Sequence, residues 1–177
     1  MIARDGWTTV DGPLGPVTLV GGPDGLRAVR FDGAGAHGAA PPPDPRDRDD
    51  AGLAPAADQL IAYLSGDRRG FDLPLELRGT PFDLRVWDEL RRLPYGTTTT
   101  YTDLAAAVGR PDVVRAVAGA VARTPTPIVV PCHRVIGRDG SLRGYVGGLE
   151  RKAALLGLER RVAGAGTPSP AQLGLAV

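Results

Sequence analysis

The chain has 177 residues, of which 42% are hydrophobic, with a formal net charge of +1, one cysteine and two histidines. This length supports one large or two small domains, and the hydrophobic content is ordinary for a globular protein. One cysteine excludes an internal disulfide, and with two histidines it cannot build a thiolate-rich zinc site, so we expect a reducing cytoplasm and no metal or other cofactor. No apolar run reaches the length of a transmembrane helix and the first residues lack an export signal, so we expect a cytoplasmic protein without membrane contact.

The two halves of the chain differ in charge. Residues 1–80 contain 8 arginines and 12 acidic residues, a net charge of −4, whereas residues 81–177 contain 13 basic and 8 acidic residues, a net charge of +5. A basic half suits a nucleic-acid backbone, because each neutralised phosphate releases counterions. Scattered surface arginines would give the same balance, so charge alone leaves both interpretations open.

The first predicted elements are two short strands joined by a turn. Residues 16–20 and 26–31 alternate in polarity on either side of a turn rich in glycine, which is typical of a β-hairpin. Residues 33–50 are rich in Gly, Ala, Pro and Asp and show no periodicity, so we expect a flexible insertion in which His37 is exposed and inert.

A helix and one more strand complete the amino-terminal half. Helical spacing of apolar residues returns at residues 58–64, and residues 71–77 alternate like a strand. Together with the hairpin, these elements predict a small α/β domain over residues 1–79.

The second domain is predicted to begin with a well-marked helix. Thr80 and Pro81 supply an N-cap residue and a first-turn proline. Four apolar residues then recur on one helical face, namely Phe82, Val86, Leu90 and Leu93. Trp87 lies beside this face and is interpreted as a core residue, and the helix is expected to end before the Pro-Tyr-Gly sequence at residues 94–96.

Two further short helices are predicted over residues 101–108 and 111–123, with a glycine-containing turn between them. This is the pattern of a helix-turn-helix, although many paired helices never contact DNA. A closing helix is predicted over residues 149–158 and a loose tail over residues 164–177. The second domain would then span residues 80–163.

The only cysteine of the chain lies in the sequence Pro-Cys-His-Arg-Val-Ile-Gly at residues 131–137, directly after an apolar run. A free thiol has a pKa of roughly 8.5, so a neighbouring imidazole that accepts its proton would raise the reactive fraction at neutral pH. A cysteine in such a place can also be a small buried hydrophobic residue. The Cys132-His133 pair alone leaves both interpretations open.

The longer sequence resembles the active-site signature of the O6-alkylguanine-DNA alkyltransferases, also called methylated-DNA–protein-cysteine methyltransferases. The match extends to residues 94–101, 115–120 and 144–149, which resemble the helix-turn-helix entry, the recognition helix and the active-site loop of that family. The resemblance covers about residues 80 to 160 closely. It implies a ribonuclease-H-like amino-terminal domain, with a small antiparallel sheet and a helix, and a mainly α carboxy-terminal domain with a winged-helix-like helix-turn-helix.

The resemblance also implies a mechanism. Cys132 would attack the alkyl carbon on guanine O6, His133 would accept the thiol proton through a water, and Glu159 would orient the imidazole. Tyr101 would protonate the departing guanine. Because the product is a stable thioether, the protein should act only once. The resemblance also implies a monomer that acts on double-stranded DNA containing O6-alkylguanine or O4-alkylthymine.

Further residues are assigned by the same resemblance. Arg115 would occupy the space left by the extruded base, beside the DNA-contacting residues Val113, Val114 and Ala118. The base pocket would be lined by Tyr145, Val146, Gly147 and Pro127. Lys152 matches an active-site position, and a solvated lysine on a helix face is the alternative.

The chain departs from the family at two places. Ala118 replaces a usual glycine and Val113 and Val114 are bulkier than usual, which affects how closely the helix approaches DNA. Thr124 replaces a usual asparagine at the hinge before the cysteine loop, and one hydroxyl makes fewer hydrogen bonds than an amide. We therefore expect a looser active-site loop.

Two other functions fit parts of this pattern. An alkyltransferase-like protein would bind the lesion without transfer, but such relatives replace the cysteine that this chain retains at Cys132. A Cys-His-Glu thiol hydrolase would use the same side chains on small acyl substrates. Sustained turnover would distinguish such a hydrolase from an alkyltransferase that acts once.

Overall fold

The computed structural model describes residues 5–31 and 43–164. The described residues form a three-stranded sheet with one helix, followed by a mainly helical region that contains a two-stranded parallel pair. The strands are β1 Gly6–Val10, β2 Val17–Gly22, β3 Gly25–Phe31, β4 Thr99–Thr100 and β5 Val135–Ile136. The helices are α1 Ala54–Ser65, α2 Pro81–Arg91, α3 Tyr101–Ala107, α4 Val114–Ala122 and α5 Leu149–Ala163.

The amino-terminal sheet is antiparallel in the order β1-β2-β3. The predicted hairpin corresponds to β2 and β3, where Leu19 pairs with Val29, and β1 was not predicted. Alternate residues of β1 are buried, and apolar residues of all three strands share a core with α1, as expected for a sheet with one covered face. This core extends into the second half of the chain, because Ile128 and Leu155 belong to it.

Part of the predicted flexible insertion has defined structure. Pro45–Asp47 form a short 3₁₀ helix, the Trp7 indole donates to the Asp44 carbonyl at 2.7 Å, and Thr8 Oγ1 donates to Asp50 at 2.6 Å. These contacts attach residues 43–50 of the predicted flexible insertion to β1. The rest of the insertion, with His37, lies outside the described residues.

The strand predicted over residues 71–77 is reduced to an isolated bridge between Leu26 and Leu75. The Pro74 carbonyl accepts from Leu26 N at 2.9 Å and Glu76 N donates to the Leu26 carbonyl at 3.0 Å. Pro74 has no N–H to donate, so the ladder does not continue through it.

The helix predicted from Thr80 is present with the expected cap. Thr80 and Asp83 form a capping box in which Asp83 N donates to Thr80 Oγ1 at 3.1 Å. Trp87 is buried, as predicted, and its indole N–H donates to the Ala120 carbonyl at 2.9 Å, which joins α2 to α4.

The two helices α3 and α4 form the predicted helix-turn-helix, but α4 begins at Val114 and not at residue 111. Gly109, with φ of +76°, ends the first helix, and an ion pair between Arg110 and Asp112 lies in the turn. Since residues 111–112 belong to this turn, the second helix is shorter than the sequence indicated.

Two features connect these helices to the cysteine segment. Strands β4 and β5 pair in parallel, which joins the entry to α3 with the residues that follow Cys132. Helix α5 continues to Ala163, beyond the predicted end at residue 158, so Glu159 lies on the helix itself. Within the described ranges no helix is long and apolar enough to cross a bilayer, and no cluster of three metal-binding side chains occurs.

Candidate active site

Cys132 lies at the base of a cavity of about 480 Å³. It begins a short 3₁₀ helix, Cys132–Arg134, after the buried residues of the preceding apolar run, and only 2% of its surface is exposed. The cavity is lined by Tyr101, Val114, Arg115, Ala118, Val121, Ala122, Cys132, Arg143, Gly144, Tyr145 and Val146. The helix-turn-helix therefore forms one wall and the loop before α5 forms the other.

The Cys132 thiol is held in its neutral form at rest. Burial raises the pKa of Cys132 to about 11, while the hydroxyl of Thr124, the charge of Lys152 and nearby backbone amides act in the opposite direction. A thiolate forms in this environment only when a base takes the proton, because desolvation penalises the charged state. The site therefore needs a proton acceptor next to the sulfur.

His133 is fully buried, follows Cys132 in the same 3₁₀ helix and does not line the cavity. Its Nε2 lies 2.7 Å from Glu159 Oε1, and its Nδ1 is buried and has no hydrogen-bond partner among the described residues. Burial lowers the pKa of His133, with Glu159 opposing this effect, so the neutral imidazole is favoured. With the proton on Nε2 facing the carboxylate, the Nδ1 lone pair is left as the proton acceptor.

Glu159 is a buried carboxylate with both oxygens hydrogen-bonded. Oε1 accepts from Tyr63, from His133 and from the Arg134 guanidinium, while Oε2 accepts from Gly96 N at 2.9 Å and from Arg134 Nε at 2.9 Å. Burial alone would raise its pKa, but hydrogen bonds and charge from His133 and Arg134 lower the pKa to about 2. Glu159 is therefore an anion at every pH at which the protein is used.

Arg134 and Tyr63 were not predicted as site residues. Arg134 is buried, bridges Glu159 through its Nε and Nη2 atoms, and donates from Nη1 to the Leu93 carbonyl at 2.7 Å. Its place in the Pro-Cys-His-Arg sequence was a signal that could have identified it. Tyr63 belongs to α1, 96 residues from Glu159 in the sequence, and no local pattern indicates that contact.

Lys152 is completely buried, so the alternative of a solvated lysine is wrong. Its ammonium group donates to the carbonyl oxygens of Val135, at 2.6 Å, and of Leu142 and Gly144. Burial lowers the pKa of Lys152 to about 8. The side chain fastens α5 to β5 and to the loop that forms a wall of the cavity.

The predicted base-pocket residues separate into two groups. Tyr145 and Val146 line the cavity, whereas Gly147 and Pro127 are not among its lining residues. Gly147 faces the amino-terminal sheet, where a Cβ would approach the Phe31 ring to 2.6 Å. Pro127 is buried and forms a bridge with Val130, so it supports the cysteine segment from behind.

Tyr101 also lines the cavity, at the first residue of α3. Burial and the neighbouring Cys132 raise the pKa of its phenol, so the hydroxyl is protonated and available as a donor. The Tyr145 hydroxyl is likewise buried and has no hydrogen-bond partner among the described residues. Both residues line the cavity with a protonated phenol.

The predicted DNA-contacting residues all lie on or beside α4. Arg115 is exposed and reaches the cavity, and Val114 and Ala118 line its wall. Val113 is the N-cap residue of α4 and packs against the helical core, away from the cavity lining. The exposed face near the cavity mouth is therefore formed by the first two turns of α4.

Thr124 is buried between α4 and the cysteine segment. Its hydroxyl donates to the Val121 carbonyl at 2.8 Å and is also a hydrogen-bonding neighbour of the Cys132 thiol. The next residue, Pro125, accepts a hydrogen bond from Val29 N at 2.9 Å, which attaches the hinge to β3. Whether the loop is looser than with asparagine stays a prediction.

Comparison with known proteins supports a common origin along most of the chain. Residues 6–77 match the ribonuclease-like domain of 6-O-methylguanine DNA methyltransferase, and residues 81–161 match the DNA-binding domain of that family. The methylated-DNA–protein-cysteine methyltransferase of Mycobacterium tuberculosis is 43% identical over 159 residues, which cover 87% of this chain and 92% of that protein. The constitutive Bacillus subtilis protein of the same name is 53% identical over 109 residues, or 61% of this chain and 66% of that protein.

A solved structure of a relative has the same fold. The crystal structure of M. tuberculosis OGT in complex with DNA superposes with a TM-score of 0.80 at 42% identity, over 88% of this chain and 93% of that one. The architecture is thus that of a ribonuclease-like domain joined to a DNA-binding domain. The chain belongs to the 6-O-methylguanine DNA methyltransferase family, and the predicted family and fold class are confirmed.

Proposed function

We propose that this protein repairs DNA by transferring an alkyl group from O6 of guanine, and from O4 of thymine, to Cys132. The observation that supports this most directly is the position of Cys132 at the base of a cavity, with the His133–Glu159 pair behind it. The family relatives named methylated-DNA–protein-cysteine methyltransferase support the same reaction.

The transfer is an in-line displacement at the alkyl carbon. The Cys132 sulfur forms a bond to that carbon as the bond between carbon and O6 breaks. The thiol proton passes to Nδ1 of His133 through one water, since Nδ1 has no direct hydrogen-bond partner among the described residues. The guanine leaves with an electron pair and takes a proton from Tyr101, and the resulting phenolate recovers a proton from the His133 imidazolium through water. Since the thiol pKa is about 11, proton removal by His133 is the step that makes the sulfur a nucleophile.

The alkylated base must leave the duplex stack to reach Cys132. Unstacking and unpairing cost a few kcal/mol. Arg115, exposed on α4 beside the cavity mouth, would fill the vacated space and hydrogen-bond to the orphaned base. The net charge of +5 on residues 81–177 favours approach to the phosphate backbone.

The thioether product is not a leaving group for water, so the protein is used once. Because the reaction needs a free thiol, the reducing cytoplasm is the appropriate compartment, and one monomer suffices. We propose a domain boundary between residues 79 and 80. The first domain supports the site and the second contacts DNA.

Intact-mass spectrometry tests this function. After incubation with a duplex that contains O6-methylguanine, each protein molecule should gain one methyl group that maps to Cys132, and repair should stop when the protein is consumed. Sustained turnover would favour a thiol hydrolase, and binding without any mass change would favour an alkyltransferase-like protein.

A further inference from the structure

Tyr63 is a residue of the amino-terminal domain that reaches the proton-accepting pair. It lies on the buried face of α1 with 1% of its surface exposed, and its hydroxyl donates to Oε1 of Glu159. Its ring stacks on Phe71 with a centroid distance of 4.9 Å and meets Tyr95 edge to face at 5.7 Å. These ring contacts fix the direction in which the hydroxyl points.

Three side chains share the same carboxylate oxygen. Oε1 of Glu159 accepts from Tyr63, from His133 Nε2 at 2.7 Å and from Arg134 Nη2 at 2.9 Å. Each donor withdraws negative charge from that oxygen and so weakens its attraction for the other two. The Tyr63 hydroxyl therefore affects how strongly Glu159 stabilises a positive charge on His133.

We propose that Tyr63 is a positioning residue for alkyl transfer, through which the amino-terminal domain fixes the Glu159 carboxylate and moderates the basicity of His133. The proposal rests on the function proposed above for His133. Without the phenol, Oε1 would keep more of its charge for His133, and the imidazolium would be better stabilised. His133 would then be protonated at higher pH and less available as a base under mildly acidic conditions.

Other charged groups also face this pair and remain in place when Tyr63 is changed. Arg134 contacts Glu159, and Lys152 acts on His133 from α5. Tyr95 interacts electrostatically with Glu159 and with Arg69 and Arg161. Tyr145 approaches the His133 ring edge to face at 6.4 Å. The variant must therefore be compared with one that alters the same cluster without touching Glu159.

The chain offers that control. Tyr95 lies in the same aromatic group, and its hydroxyl is buried without a hydrogen-bond partner among the described residues. Tyr63→Phe and Tyr95→Phe each remove one buried phenolic oxygen and preserve the ring. Only Tyr63→Phe removes a donor from Glu159.

The direct test is the titration of His133 by NMR in the full-length protein. The chain has two histidines, so His37→Gln leaves His133 as the only imidazole signal. We expect Tyr63→Phe to raise the pKa of His133 by about half a unit or more and Tyr95→Phe to leave it unchanged. An unchanged pKa in Tyr63→Phe, or equal shifts in both variants, would overturn the proposal.

A second measurement is the single-turnover rate of Cys132 alkylation against pH, with an O6-methylguanine duplex. The ratio of the Tyr63→Phe rate to the wild-type rate should fall as the pH is lowered through the His133 titration, whereas the Tyr95→Phe ratio should stay constant. A loss that is the same at every pH would assign Tyr63 a purely structural role. If the wild-type protein is not alkylated at all, the proposed function fails, while the NMR comparison still decides the role of Tyr63.

Discussion

The two sides of Cys132 are built differently. Behind the sulfur, His133 and Glu159 are fully buried, and the carboxylate accepts hydrogen bonds from four residues. In front, the cavity is open to solvent, Arg115 is exposed, and the hydroxyl of Tyr145 has no hydrogen-bond partner among the described residues. The rear is organised before substrate arrives, which lowers the cost of charge development during the reaction. On the cavity side, the polar groups stay available to bind the alkylated base and the duplex.

The largest expected effect comes from removing the Glu159 carboxylate, on the buried side of Cys132. Glu159→Gln leaves the buried Arg134 guanidinium without its counter-charge, which costs about 3–5 kcal/mol of unfolding free energy. It also removes the acceptor that orients His133, so alkylation should slow by about 100-fold or more. Urea denaturation and single-turnover kinetics measure the two losses.

Glu150→Gln is the matched control for that change. Glu150 lies on the same helix but is exposed, so its substitution should alter stability by less than about 0.5 kcal/mol. Combining Glu159→Gln with His133→Asn should cost much less than the product of the two single losses, because the residues act as a unit. Strictly multiplicative losses would show that they act independently.

Acid should destabilise the buried side of the site, where Glu159 lies, before it affects the cavity side. The pKa of Glu159 is about 2 in the folded protein, against an ordinary value of 4.5, so its ionised form stabilises the fold fully above the unfolded value. This contribution, about 3 kcal/mol, is lost as the pH falls from 4.5 towards 2. The free energy of unfolding of the wild type should therefore fall more steeply over this range than that of Glu159→Gln, and parallel curves would contradict the assignment.

Changing the front should affect duplex repair selectively. Arg115→Ala should slow repair of an O6-methylguanine duplex by about 10- to 100-fold, because the duplex alone must be held open. Dealkylation of free O6-benzylguanine should change little, provided that the cavity admits this base. Arg110→Ala, in the turn before α4, is the control for a general loss of positive charge, and equal losses on both substrates would assign Arg115 to the pocket or the fold.

The smallest effect is expected at Thr124, on the boundary between the two sides. Thr124→Val removes the hydrogen bond to Val121 and the hydroxyl beside the Cys132 thiol, and it should cost about 1 kcal/mol of stability with a modest loss of rate. Thr126 is a close control, since its buried hydroxyl has no partner among the described residues. Thr126→Val should be neutral or stabilising.

The asparagine that is usual in the family can be tested in place of Thr124. If threonine leaves the loop looser, Thr124→Asn should raise the single-turnover rate, the thermal midpoint, or both. A fall in both quantities would mean that the buried surroundings have adapted to threonine.

Local signals in the sequence were sufficient for many elements. Thr80 and Pro81 predicted the start of α2 because a cap and a first-turn proline act within a few residues, and the Pro-Cys-His-Arg sequence brought Cys132 and His133 together by adjacency. The cavity wall at α4 followed from the family pattern at Arg115. Each of these predictions depends on short-range chemistry that a sequence displays directly.

The contacts that span the chain could not be predicted in this way. Tyr63 had the helical spacing of any core residue, and its partner lies 96 positions away. The burial of Lys152 depends on three carbonyl groups whose convergence only the fold reveals. The ordering of residues 43–50 likewise depends on Trp7 and Thr8, which belong to the unpredicted strand β1.

The saturated hydrogen bonding of Glu159 has a consequence for charge balance over the whole reaction. At rest the Arg134 cation offsets the Glu159 anion, and the thiol and the imidazole are neutral, so these four side chains together carry no net charge. Proton transfer separates a negative sulfur from a positive imidazole, and formation of the thioether removes the negative partner. Burial then favours release of the proton from His133, and the Tyr101 phenolate that remains after the guanine departs needs one. These four side chains therefore begin and end the reaction electroneutral, and the sulfur–imidazolium ion pair exists only while the alkyl group is in transit.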